Sequence, residues 1–283
     1  MNSEILGMKK LIFTVLSISL FLMGCNDNNK VAQDIEKIPL ELQVSRFDRE
    51  FGNTFNSFKD EEAGLTQLFK HIKYYFPEEY IPKIVTVTND VDYNNRIILA
   101  DSLLFIGLDN YLGSEHKYYG GFQRYIATSL DRTYMVSDVA SAFAKKVVPK
   151  PRDRTFLARI IYFGKELYLK DKLMPVATDM EKIGYTKEDL DWAIDNEEPI
   201  WRNFVEQEHL YSTDNELNPR FLDPAPFSKF GLELDNESPG RLGRYIGWQI
   251  IKAFMDNNAI GLKQMLTMPE EEIFKKSNYK PRN

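Results

Sequence analysis

From Ile38 onward, apolar and polar positions follow patterns that name their elements. Ile38, Leu40, Leu42 and Val44 alternate with polar neighbours, the period of a strand with one buried face. Leu65, Phe69, Ile72 and Phe76 recur at helical spacing until Pro77, which predicts a helix over 61–75. The segments KIVTVTN (83–89) and RIILADSLLFIGLDNYLG (96–113) are β-rich and flank a polar loop. They predict a hairpin or adjacent strands of a small sheet. After Gly120-Gly121 the spacing turns helical, with helices expected near 121–130, 135–147, 154–171, 187–209, 239–257 and 269–276. Ser137-Asp138 and Thr186 supply start signals for two of them. The fold class read from this order is α+β, a helix-dominated body behind a small N-terminal sheet.

The first residues follow a different pattern. Lys9 and Lys10 precede an apolar run from Leu11 to Leu22, followed by Met23-Gly24-Cys25. The run is shorter than the ~17–25 residues that span a bilayer and has the layout of a secretory signal. A cysteine directly after Leu-Met-Gly makes residues 1–25 resemble a lipoprotein signal, cut before Cys25 with the thiol then acylated. An ordinary secretory cleavage site is the alternative. Residues 26–37, NDNNKVAQDIEK, are polar and read as a flexible tether. With no linker-like composition and no internal repeat beyond, 38–283 is expected to be a single globular domain.

Composition narrows the chemistry. Cys25 is the only cysteine, so its acylation leaves no thiol for a disulfide, a metal or nucleophilic attack. The net charge is −6, which argues against a nucleic-acid partner and leaves attachment to the membrane to the lipid. His71, His116 and His209 are the three histidines, and no two are four apart, so no helix presents a His-x-x-x-His face. Neither a G-x-S-x-G elbow nor a phosphate loop occurs. No metal, cofactor or catalytic residue is expected. Asp195, Glu197 and Glu198 form an acidic cluster, read as a solvated face or as partners for arginines rather than as an acid–base pair.

One stretch breaks local rules. In DNESPGRLGRYIGW (235–248), Ser238 is placed to cap a helix that Pro239 would begin. Arg241 stands where Glu or Gln would complete a capping box, and each interior glycine costs about 1 kcal/mol against alanine. Gly243 and Gly247, four apart, make a flat stripe for close packing. Arg241, Tyr245, Trp248 and Lys252 fall on another. Arg241 and Arg244 beside free helix N–H groups form a candidate carboxylate corner, flanked by Tyr245 and Trp248. Its occupant is either a partner's peptide terminus or acidic side chain, or an internal acid. Asp235, Glu237, Glu197 and Glu198 are the internal candidates, locking two helices together.

The same residues carry a resemblance. NEEPIWRNFVEQEHLYSTD (196–214), NPRFLDPAPFSKFGLELDNESPGRLGRYIGWQIIKAFM (218–255) and GLDNYLG (107–113) resemble the gliding motility lipoprotein GldB family. The resemblance implies an accessory lipoprotein of the gliding machinery, which is coupled to type IX protein secretion, and it carries over no catalytic residue. Its implied partners are the membrane through Cys25 and other envelope proteins of that machinery. The helix order is also distantly similar to that of predicted zinc-dependent proteases, which would carry His-Glu-x-x-His on the first of three helices. Here that helix reads ARIIYFGKELYL (158–169), without either histidine. The expectation is a zincin-like scaffold lacking the metal and acting through protein or peptide binding. The alternative is an envelope metallohydrolase with an unfamiliar ligand set, such as His209 with neighbouring carboxylates.

Overall fold

Among the described residues, four short strands form one sheet and the helices stack on one another. The computed structural model describes residues 29–46, 55, 57–232 and 235–282. Cys25 and the signal segment lie outside the described residues. Helix α1 (29–36) replaces most of the expected tether. Its Ile35 is 2% exposed, and Lys70 donates to the Glu36 carbonyl and carboxylate at 3.2 and 3.3 Å. One buried apolar residue and one cross-chain lysine are enough to dock a segment whose polar composition reads as a free linker.

The sheet contains β1 (Val44–Arg46), β2 (Lys83–Val87), β3 (Ile97–Ala100) and β4 (Leu103–Gly107) in the order β1-β2-β4-β3. β1 and β4 both run parallel to β2, and β3 pairs antiparallel with β4. Only β3 and β4 form a hairpin; the two β-rich segments meet through β4. The register sets Ile84 against Leu104 and Thr86 against Ile106, and these four residues fill the buried face. Alternation along 38–44 yields a strand only at its end, because Leu42 reaches the core before pairing with β2 begins.

Helix α2 (Lys59–Tyr75) turns Leu65, Leu68, Phe69 and Ile72 inward and opens with Asp60, Glu61 and Glu62, acids that suit a helix N-terminus. After α3 (Arg124–Ala127) comes α4 (Met135–Val147), with Ser137 and Asp138 inside its first turn rather than before it. α5 (Phe156–Leu173) is capped by Thr155 and buried almost all round, the mark of a central helix. α6 (Asp179–Ile183) and α7 (Lys187–Asp195) each begin with a capping box, at Thr178 and Thr186. The expected 187–209 helix divides at Asn196, where α8 (Glu197–Glu206) starts. α9 (Leu217–Phe221), α10 (Leu242–Asn257), α11 (Leu262–Thr267) and α12 (Glu270–Ser277) complete the body. Helix-dominated α+β is the architecture observed. Among the described residues no helix is long and apolar enough to cross a membrane.

α10 lies on α5 through glycines. A Cβ on Gly247 would stand 1.8 Å from the Ile160 carbonyl oxygen, and one on Gly164 2.2 Å from that of Gly247. Backbone therefore touches backbone at this crossing, and larger residues are excluded by overlap.

Candidate functional site

The start of α10 is made by a loop folding back on itself. Ser238 does not cap the helix; its hydroxyl bonds with the backbone of Ser228, and Ser228 Oγ accepts from Leu242 N at 3.4 Å. The helix begins three residues later than expected. Arg241 sits before it at φ +64°, a conformation that non-glycine residues rarely adopt. Gly240 makes this turn possible, because a Cβ there would lie 2.3 Å from the Ala225 carbonyl oxygen.

The turn sends Arg241 to the end of α6. Its Nη1 and Nη2 donate to the carbonyls of Ile183 and Gly184 at 3.1 and 2.7 Å, groups that a helix C-terminus leaves open. The guanidinium also covers the Tyr185 ring at 5.2 Å from its centroid. Arg241 is thus occupied by the protein's own carbonyls, and none of Asp235, Glu237, Glu197 or Glu198 pairs with it.

Arg244 is held differently. Nε donates to the Leu222 carbonyl at 2.5 Å, and the guanidinium lies 4.0 Å above the Phe163 ring of α5. Among the described residues neither Nη group has a hydrogen bond, and no carboxylate pairs with it. Burial, and then the like charge of Arg241, press its pKa down to about 10.

Close by on α5 is Glu166, 7% exposed, whose Oε1 is buried with no hydrogen-bond partner among the described residues. The Tyr162 hydroxyl accepts from Lys150 Nζ at 3.2 Å, and burial and then the neighbouring Glu166 carboxylate hold its pKa above the usual phenol range. One turn further, Lys170 is fully enclosed, donating to Ser137 Oγ at 2.9 Å and the Lys182 carbonyl at 2.7 Å. Burial lowers its pKa to about 8, opposed by Asp138 and Glu166. The sequence reading passed over Glu166 and Lys170. A signal was present in their spacing, since Tyr162, Glu166 and Lys170 recur every four residues along one stripe of a helix that is buried almost all round.

The remaining predicted residues turn inward elsewhere. Tyr245 donates to Glu197 Oε2 at 2.9 Å, while Tyr279 and the Arg282 N–H donate to Oε1 at 2.9 and 3.3 Å. Glu198 pairs with Arg202 along its own helix. Trp248 Nε1 donates to Asp171 at 2.8 Å, with Lys252 stacked 3.7 Å over its ring. The structure therefore brings Arg241 and Arg244 to one end of α10 and places Tyr245, Trp248, Glu197 and Glu198 in other contacts.

The stretch where a zinc motif would fall is committed to packing. Gly164 makes the backbone crossing with α10, and Lys165, 1% exposed, donates to the Met268 carbonyl at 2.7 Å and pairs with Glu270 at 3.2 Å. His209 lies among Phe156, Phe204 and Phe221, with Nε2 buried and unpartnered. His71 bonds to the Gln67 carbonyl, and His116 accepts from the Tyr118 N–H. No group of three or more potential metal ligands gathers among the described residues.

A family model described as gliding motility protein GldB matches residues 52–281, a span that includes α5, α10 and both Arg241 and Arg244. No curated protein and no solved structure matches the chain.

Proposed function

The chain belongs to the gliding motility protein GldB family, and from that premise we propose that it is a non-catalytic, lipid-anchored accessory component of the gliding apparatus and the linked type IX secretion machinery. Membership implies a role in gliding motility. In our reading the anchor is Cys25, the body faces the periplasm, and the work done is binding of envelope proteins or their peptides.

The observation that carries the non-catalytic reading is the crossing of α5 and α10. At the level where a peptidase would hold its metal, Gly164 and Gly247 bring the two backbones into contact, and Lys165 is consumed by Glu270. A packed seam leaves no room there for a substrate bond and an attacking water. His209 does not favour the hydrolase reading either, since its ring packs among Phe156, Phe204 and Phe221.

The test is a metal count joined to a capture. The full chain, purified in detergent and dialysed against metal-free buffer, is expected to hold no stoichiometric zinc. Cross-linking in gliding cells is expected to capture envelope proteins of the motility machinery, and Cys25→Ala to release the chain from membranes. One dialysis-resistant zinc per chain, with peptide hydrolysis lost in His209→Ala, would overturn the proposal.

A further inference from the structure

We propose that Arg244 is a seat for a carboxylate presented by a protein partner, with Phe163 as its floor and Glu166 as acceptor for an N–H beside that carboxylate. This rests on the reading that the chain works by binding, and it narrows the site to one of the two arginines.

Three observations converge. The Leu222 carbonyl and the Phe163 ring fix the Arg244 guanidinium and leave its Nη edge without a bond. That edge is the one that grips a carboxylate through two parallel hydrogen bonds. Next, the charge around it is unbalanced. Arg241 and Lys170 carry the same sign, while the acids that act on Arg244, Glu166 and Asp223, do so without an ion pair. A guanidinium partly removed from water without a counter-ion is costly, and a guest carboxylate relieves that cost.

The third observation selects among anions. Glu166 Oε1 is an unsatisfied acceptor, so a bare anion would meet its negative charge with nothing to offer it. A carboxylate joined to an amide N–H offers both halves, an acceptor pair for Arg244 and a donor for Glu166. A peptide C-terminus has this pairing on one residue; an aspartate or glutamate within a chain has it across a longer span. Arg241 is excluded because the Ile183 and Gly184 carbonyls already fill its fork.

The experiment follows the arginine side chains by NMR in the full chain in detergent, labelled at arginine. Three probes are titrated: N-acetyl-Ala-Ala with a free C-terminus, its C-terminal amide, and N-acetyl-Glu-Ala amide. The expected result is that a carboxylate-bearing probe shifts the Arg244 signals while the neutral amide does not, and that Arg241 stays still. The tighter of the two acids identifies the source as a terminus or a side chain. Arg244→Lys, which keeps the charge, is expected to weaken binding about tenfold, and Phe163→Leu to weaken it less. An Arg244 unmoved by both acids, or moved equally by the amide, overturns the seat. If envelope partners still cross-link in that case, the binding role survives without it. If carboxylates bind and the chain also hydrolyses peptides, the non-catalytic reading falls and the seat stands.

Discussion

Arg244 and Tyr245 are consecutive on α10, yet they reach two charged regions built on opposite terms. On the Tyr245 side a buried anion, Glu197, receives two hydroxyls and one backbone N–H, so both oxygens are taken. On the Arg244 side three cations, Arg241, Arg244 and Lys170, are held by carbonyls and a serine hydroxyl beside the carboxylate of Glu166. There a guanidinium edge and a carboxylate oxygen lack partners among the described residues. A network with every member satisfied stabilises and specifies one structure; loose ends mark where something else is received. Satisfaction, rather than charge or burial, separates the two.

The most disruptive way to break the comparison is to move the seam between them. Gly247→Ala places a methyl on the Ile160 carbonyl and is expected to cost roughly 3 kcal/mol or more, read by urea unfolding. Both regions should lose their register together. Glu197→Ala strands two hydroxyls and an N–H, and a loss of roughly 2 kcal/mol is expected. Arg244→Gln gives up only one carbonyl bond and a ring contact, so its cost should stay near 1 kcal/mol or below. A loss as large as that of Glu197→Ala would make the two regions equivalent. A pH dependence probes the Arg244 side independently. Lys170 has its folded pKa lowered to about 8 from 10.5, so between these values the unfolded chain holds the proton and the folded chain does not. Its contribution to stability must therefore rise with pH across that window. Comparison with Lys170→Met isolates the slope from the tyrosines.

Much of the frame was legible in the sequence. α4 and α5 follow their apolar spacing closely, and the capping box at Thr186 starts α7 where expected. Short helices were not, because α6, α9 and α11 span about one turn each and carry no periodicity to count. The break at Asn196 was hidden by acidic residues that suit both a helix interior and a helix start. At the site, Gly243 and Gly247 announced close packing, and α5 does pack there. The corner was misjudged in detail. A carboxylate, internal or a partner's, was expected opposite Arg241, and carbonyls fill that place, because a helix C-terminus 57–58 residues away in sequence arrives only through the tertiary fold. The positive φ at Arg241 has no sequence signal except the glycine before it.

For a chain anchored at Cys25 as proposed, the docking of α1 would change the mechanics of attachment. A free segment from 26 to 37 would give a lipid on Cys25 a leash of roughly 40 Å at ~3.5 Å per residue. With Ile35 buried and Glu36 gripped by Lys70, three residues separate Cys25 from Asn29, and the four steps between them reach about 14 Å at most. A body held that short has little freedom to swivel. Anchored at Cys25 as proposed, it would present one side to the lipid headgroups, and force applied by a partner would pass to the bilayer with almost no slack.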